Sequence, residues 1–295
     1  MTKLKILATG GSGQVGCGLH KAAHAFDYEL VMPSSRELDL SNEASIRAFL
    51  SQGEWSAIIS SGAYTAVDKA ESEPDRAFAI NGVAPGILAA EAASRNIPII
   101  HVSTDYVFDG SKPSPYVEED PVAPLGVYGA SKEAGERAVR ESGARDVILR
   151  TAWVMSPWGN NFVKTMLRLA ADRPELRVVA DQHGCPTSAQ DIAVTLLTLA
   201  DRLITDPAAP TGTYHFVNAG DASWYDLACA VFERVGKHGH PVPKVDAITT
   251  ADYPTPAKRP ANSRLSTGKI NRDFGVQPRG WTDALDEIVE KLFAA

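Results

Sequence analysis

Along the first half of the chain, two apolar periods alternate. Residues 4–9, 28–32, 57–60, 97–102 and 146–150 are short apolar runs with little polar interruption, as expected of strands buried on both faces. Residues 14–26, 41–52, 74–95 and 131–142 instead carry apolar side chains at helical spacing, with Ser41 or Asn42 suited to cap the second of them. Strand and helix in strict alternation predict an α/β fold of the Rossmann type, a doubly wound parallel sheet. Beyond residue 150 the pattern is less regular. Helices are predicted over 161–171, 189–203, 224–235 and 281–294, and a strand over 213–217. Residues 253–265 cannot be helical, because Pro254, Pro256 and Pro260 interrupt them.

Composition narrows the classes. The chain has 295 residues, 44% hydrophobic and 22% charged, which is globular and excludes disorder and coiled coil. With 29 basic and 36 acidic residues the net charge is −7, so no global field draws nucleic acid or an anionic membrane. The three cysteines, Cys17, Cys185 and Cys229, show no paired spacing, which argues against a zinc site or a disulfide framework. The opening Met1-Thr-Lys-Leu-Lys-Ile-Leu-Ala-Thr9 runs into a glycine turn too soon for a targeting signal, and no run of 18 apolar residues suggests a membrane span. A cytoplasmic protein is the expectation.

The glycine turn lies directly after the first predicted strand. Gly10, Gly13 and Gly16, with Gln14 and Val15 between them, open the first helix. Glycines at this place give a tight turn and let the backbone approach a pyrophosphate, with a helix N-terminus aimed at the charge. A strand-to-helix turn needs glycine in any case, so the motif alone is weak. The neighbouring βαβ units strengthen it, and residues 1–150 are read as an NAD(P)-binding domain, with 151–295 mainly a substrate region that returns some segments to it. At the end of the second strand an acid would hold the ribose of NAD. Pro33, Ser34, Ser35 and Arg36 stand there instead, a set suited to the 2′-phosphate of NADPH, with NADH still possible. Arg36 has a bland reading as a solvated surface cation. Asp39, followed by Leu40, either accepts from an adenine amino group or caps the next helix.

A second constellation is Tyr128-Gly-Ala-Ser-Lys132. Residues i and i+4 share a helix face, so a lysine ammonium there can lower a phenol pKa that is ordinarily about 10. Such a phenol is a usable general acid, worth on the order of 10²–10⁴-fold in rate. The spacing is common by chance. Its weight comes from Ser103-Thr104-Asp105 at the end of an upstream strand, the edge at which ligands of such sheets bind. Thr104 is placed to hydrogen-bond the same carbonyl oxygen as Tyr128.

This order, glycine turn, strand-end hydroxyl, then Tyr-x-x-x-Lys, resembles the extended short-chain dehydrogenase/reductases. Further motifs narrow the resemblance to the dTDP-4-dehydrorhamnose reductase family: Thr65-Ala-Val-Asp-Lys-Ala-Glu71, Ser103-Thr-Asp-Tyr-Val-Phe-Asp-Gly110, Asn160-Asn-Phe-Val-Lys-Thr-Met-Leu167, Asp181-Gln-x-Gly-x-Pro-Thr187 and Tyr253-Pro-Thr-Pro-Ala-x-Arg-Pro260. The resemblance implies hydride delivery from NADPH or NADH to C4 of dTDP-4-dehydro-L-rhamnose, giving dTDP-L-rhamnose. It implies Thr104, Tyr128 and Lys132 as catalytic residues, Lys132 also holding the nicotinamide ribose. Ala63, Tyr64 and Thr65 would line the cofactor, and Asp105 and Trp153 would lie against the sugar. Lys258 and Arg259, in the proline-held loop, are suited to a diphosphate, or are simply solvated. Trp158, Trp224 and Tyr225 read as packing residues, and His183 beside Cys185 lacks a third metal ligand.

Two departures from the family stand out. Ser60 replaces an asparagine frequent in relatives. Relatives that dimerise through bridged magnesium use carboxylates where this chain has Gly18, Gln190 and Lys291, so magnesium is not expected and the chain should be a monomer or a metal-independent dimer. The rival readings are reduction of another nucleotide-linked 4-keto sugar, or a catalytically silent NADP-binding regulator. The second conflicts with the intact Thr104, Tyr128 and Lys132.

Overall fold

The computed structural model describes residues 3–294; Met1 and Thr2, at the head of the stretch weighed as a targeting signal, and Ala295 lie outside it. The first half runs β1 (Leu4–Ala8), α1 (Gln14–Ala22), β2 (Tyr28–Val31), α2 (Glu43–Leu50), β3 (Ala57–Ser60), α3 (Val67–Ala70), α4 (Pro74–Phe78), α5 (Ala84–Ser94), β4 (Ile99–Thr104), α6 (Val127–Glu141) and β5 (Asp146–Thr151). The second half adds β6 (Val154–Met155), α7 (Phe162–Asp172), β7 (Glu175–Val179), β8 (His183–Gly184), β9 (Thr187–Ser188), α8 (Ala189–Thr205), β10 (Gly212–His215), β11 (Ala222–Ser223), α9 (Trp224–Gly236), β12 (Lys244–Ile248), β13 (Asn262–Ser263), α10 (Gly268–Phe274) and α11 (Trp281–Phe293).

Six strands form one parallel sheet in the order β10-β5-β4-β3-β1-β2. The chain leaves β1 for β2 on one side and then crosses to β3 on the other, so the crevice between β1 and β3 at their carboxyl ends is the switch point where ligands of such sheets sit. One face is covered by α1 and α8, with Leu19, Ile192, Leu196 and Leu199 packed on Ile6, Ile59 and Leu149. The other is covered by α2 and α5, with Ile46, Leu50 and Leu88 on Leu7, Ile58, Ile99 and Ile148. A second core, built from α7, α9, α11 and β7 around Met166, Val231, Phe232 and Leu285, underlies the C-terminal part. Thus β10 and α8, although beyond residue 150, belong to the main sheet and its cover.

Three helices differ from the reading of periodicity. The segment predicted over 14–26 closes its α-helix at Ala22 and tightens into a 3₁₀ turn, Ala23–Ala25. The segment predicted over 74–95 is one 21-residue helical stretch, Pro74–Ser94, long and apolar enough by composition to cross a membrane. Here it packs against the sheet and α6, and a wide π-helical turn, Ala79–Val83, interrupts it. The helix expected at 131 begins four residues earlier, at Val127, because Glu71 accepts the Val127 amide at 2.9 Å and supplies the cap that local sequence lacks.

Under the sheet edge Arg150 and Glu136 form a buried bidentate pair, Nε to Oε1 2.8 Å and Nη2 to Oε2 2.7 Å. Cutting Arg150 leaves the buried Glu136 carboxylate with only the partly exposed Arg140, at 3.1 Å from Oε2, whereas replacing both Arg150 and Glu136 leaves no buried charge. Arg150→Met should therefore lose about 3 kcal/mol of unfolding free energy in urea, and adding Glu136→Leu should recover most of that loss. Equal stability of wild type and the single variant would show the pair to be energetically idle.

Candidate active site

Close backbone contact builds the nucleotide crevice. Gly10 has φ +79°, and a Cβ there would meet the Gly62 Cα at 2.7 Å. A Cβ on Gly16 would fall 2.3 Å from the Gly10 carbonyl oxygen. Only glycine permits this turn, and α1 starts with no side-chain cap on its amides. The residues therefore fit a dinucleotide pyrophosphate, an anion against free N–H groups in a cradle that a methyl group would fill. The turn after β1 is tied to the one after β3: Gly62 N donates to Thr9 Oγ1 at 3.0 Å and Ser61 Oγ to the Thr9 carbonyl at 2.6 Å. Leu40 packs close to Gly62, where a Cβ would meet its Cδ1 at 2.6 Å.

The surrounding residues are partly engaged already. Tyr64 lies in the loop that follows, but its phenol donates to Glu73 at 2.9 Å. Ala63 and exposed Thr65 flank it. Gln14 Oε1 accepts from Ser156 Oγ at 2.8 Å and Asn161 Nδ2 at 3.0 Å, joining the glycine turn to the start of α7; Val15 packs into the core. Beyond β2, the amide and hydroxyl of Ser34 both donate to Glu37, each at 2.8 Å. Arg36 is exposed and makes no ion pair among the described residues. Asp39 accepts from Ser41 at 2.9 and 2.7 Å, and the cap of α2 is Asn42, which settles the alternative of Asp39 as helix cap.

Thr104 ends β4 at the carboxyl edge. Its hydroxyl donates to Asp105 Oδ1 at 2.8 Å and accepts the Tyr106 amide at 3.2 Å. Tyr128 stands in the first turn of α6, its ring against the edge of Tyr106 with centroids 5.4 Å apart. Gly129 makes that approach possible, since a Cβ would fall 2.2 Å from the Tyr106 carbonyl oxygen. Burial, and then the Asp105 carboxylate, push the Tyr128 phenol up to about 12, with Thr104 opposing. This differs from the expected lowering by Lys132. The ammonium is held elsewhere, donating to the Val102 carbonyl at 2.7 Å and facing His101 Nε2 at 3.4 Å. Burial lowers Lys132 itself to about 8, against the pull of Glu136. Asp105 is raised to about 6 by burial, with Ser263 and Thr104 holding it down, and its Oδ2 has no hydrogen-bond partner.

Trp153 occupies left-handed backbone at φ +46° and stacks on Trp224 with centroids 3.5 Å apart and planes 9° apart. Trp224 packs as the sequence suggests, against Trp153 and Phe162, and its Nε1 donates to Gln182 Oε1 at 3.2 Å. Arg259 is not an unengaged cation. It clasps Asp68 in a bidentate pair at 3.0 and 2.8 Å, so a diphosphate would have to compete with a carboxylate for it. Lys258 is exposed.

Sequence reasoning missed the residues that hold these parts together. Asn81, fully buried in the π-helical turn, accepts from Tyr64 N at 2.8 Å and donates to the Tyr64 carbonyl and Ser131 Oγ, both at 3.0 Å. Its only signal was an amide in an otherwise apolar helix. Asp68 and Glu71 were quoted within a motif without a role; one holds Arg259 and the other caps α6.

Fold and side chains together define the class, an extended short-chain dehydrogenase/reductase with glycine turn, strand-end threonine and a Tyr–Lys helix. More narrowly, the family whose sequence model matches residues 4–293 is the one described as RmlD substrate binding domain, and this chain belongs to it. A dTDP-4-dehydrorhamnose reductase of Sinorhizobium fredii is 45% identical over 290 residues, 98% of each chain. Among solved structures, the dTDP-4-dehydrorhamnose reductase of Clostridium acetobutylicum matches with TM-score 0.91 at 38% identity, over 98% of this chain and 99% of that one. That of Bacillus anthracis, in complex with NADP, matches with TM-score 0.90 at 33% identity, over 98% and 100%.

The Asp105 environment has a measurable consequence. A carboxyl whose folded pKa of about 6 lies above its unfolded value stabilises the fold at low pH, and that contribution is lost as pH rises from about 4 to about 6. Asp105→Asn carries no such loss. Its stability relative to wild type should therefore improve across that window, on the order of 2–3 kcal/mol, in urea titrations at pH 4 and pH 7. A difference that does not change with pH would contradict the raised pKa.

Proposed function

We propose that this chain reduces the C4 keto group of dTDP-4-dehydro-L-rhamnose to dTDP-L-rhamnose with NADPH, the last step of dTDP-rhamnose synthesis. The observation that carries the reading is the meeting of Thr104, Tyr128 and Lys132 at the carboxyl edge of β4, beside the glycine turn, in a chain 45% identical to a reductase of that name. NADPH, when bound, supplies the hydride to C4. Gly10, Gly13 and Gly16 would cradle its pyrophosphate, Leu40 its adenine and Lys132 its nicotinamide ribose.

The protein's own chemistry is proton handling. A phenol pushed up to about 12 is protonated at neutral pH, so Tyr128 is ready to give its proton to the oxygen that gains charge at C4. Thr104 exchanges its bond to Asp105 for one to that oxygen and polarises the carbonyl. Lys132, near 8, is largely charged at neutral pH and, anchored on the Val102 carbonyl, would serve the nicotinamide ribose rather than the phenol. The Trp153–Trp224 stack offers an apolar wall to the sugar, and Asp105 a polar one.

Assembly through bridged magnesium is not part of this reading. Gly18 lies against Ala189, leaving no room for a side chain, and Lys291 pairs with Glu287. A monomer or a metal-independent dimer follows, working in the cytoplasm on a soluble dTDP-sugar.

Incubation with dTDP-4-dehydrorhamnose and NADPH, with the product identified by NMR, tests the function; no turnover, or turnover only of another nucleotide-linked keto sugar, rejects it. Tyr128→Phe should lower kcat by about 10²–10⁴-fold, the range of a lost general acid. Its NADPH dissociation constant, read by fluorescence, should stay within about twofold, since the phenol adds little to dinucleotide contact. Arg36→Ala should cut the NADPH-to-NADH ratio of kcat/KM by about tenfold, as the loss of one charge-assisted phosphate contact. An unchanged ratio removes Arg36 from cofactor choice.

A further inference from the structure

Lys132 is held from the sheet side by a pair of residues that the mechanism above does not use. His101, in the middle of β4, is fully buried, and its register partner on β3 is Ser60. One ring nitrogen, Nδ1, lies 3.1 Å from Ser60 Oγ; the other, Nε2, lies 3.4 Å from Lys132 Nζ. An ammonium has three donors and no acceptor. The nitrogen facing it must therefore be the bare one, which puts the ring proton on Nδ1, where the Ser60 oxygen can accept it. Burial and the neighbouring ammonium keep the imidazole neutral, as this arrangement requires. A second Lys132 donor goes to the Val102 carbonyl at 2.7 Å. Two of three N–H groups are thus spoken for by β4, and one remains.

We propose that His101, locked by Ser60 in the tautomer protonated at Nδ1, is a positioning residue that holds the Lys132 ammonium and leaves a single N–H to serve the nicotinamide ribose. Without it, a flexible four-carbon chain anchored at one carbonyl would swing about that bond. The carboxylate on its own helix, Glu136, is turned away into the Arg150 pair and offers no substitute. The catalytic use of the remaining N–H rests on the reductase reading; the tautomer and the contact do not.

Two measurements decide it. Nitrogen-15 NMR of the imidazoles in the full chain at neutral pH, assigned with His101→Gln, should show Nδ1 protonated and Nε2 bare for His101. The opposite tautomer, or an imidazolium, would overturn the proposal. Kinetically, His101→Phe should lower kcat by about 10–100-fold through misplacement of Lys132, raise the NADPH dissociation constant about fivefold, and leave the sugar KM within about twofold. His101→Gln, whose amide oxygen can accept from the ammonium, should regain most of both losses. A folded His101→Phe with wild-type kcat and NADPH affinity refutes the role, as does a His101→Gln no better than the phenylalanine variant. If His101→Phe does not fold, His101→Gln against wild type and the NMR tautomer carry the decision. If the wild type does not reduce the dTDP-sugar, the proposed function falls, while the tautomer and the NADPH affinities still judge His101.

Discussion

A single buried carboxamide holds the two halves of the site in register. Asn81 binds the amide and carbonyl of Tyr64, in the loop beside the glycine turn, and the hydroxyl of Ser131, one residue before Lys132. It pairs the buried amide and carbonyl of Tyr64, each costing about 1–3 kcal/mol if left without a partner, whereas Ser131 Oγ also donates to the Tyr128 carbonyl at 2.7 Å. The π-helical turn is what aims it. The turn sets Asn81 between α4, which packs on α6, and α5, which packs on the sheet and α6. The backbone also comes close here, since a Cβ on Gly135 would fall 2.1 Å from the Asn81 carbonyl oxygen. The cofactor loop and the Tyr–Lys helix are therefore fixed relative to each other through one side chain.

The electrostatics of the site follow from how deeply its side chains are buried. Burial raises the phenol, raises the Asp105 carboxyl and lowers the lysine, each change favouring the uncharged form. At neutral pH Lys132, near 8, and Asp105, near 6, still carry charge, beside the paired charges of Glu136 on Arg150 and Asp68 on Arg259. Burial of this kind strengthens whatever hydrogen bonds the hydroxyls of Thr104 and Tyr128 make there.

Much of this was legible before any coordinates. Strands β1, β3, β4 and β5 stand out because burial on both faces keeps their runs largely aliphatic, and the order of glycine turn, Thr104 and Tyr128–Lys132 follows directly from the chain. Less legible was whatever depends on a distant partner. Strands β7 and β12, Glu-Leu-Arg-Val-Val and Lys-Val-Asp-Ala-Ile, mix charge with aliphatics and pair in parallel across some seventy residues, so neither reads as a strand alone. The early start of α6 depends on Glu71, fifty-six positions upstream. The position of the Lys132 ammonium depends on a carbonyl and an imidazole of β4 that no helix spacing can reveal. Helical spacing put Tyr128 and Lys132 on one face correctly, but it could not say which way the lysine would turn.

The glycine cradle and the surface beyond β2 differ in how they can change over generations. Gly10, Gly16 and Gly129 each sit where even a methyl group collides with main-chain atoms, so every amino-acid replacement there meets the backbone and these positions are frozen. Residues 34–37 are exposed and held only by short polar contacts among themselves, so they can be exchanged one at a time without disturbing the fold. Any contact that this exposed segment makes can therefore be altered by single replacements, whereas the cradle it borders tolerates none.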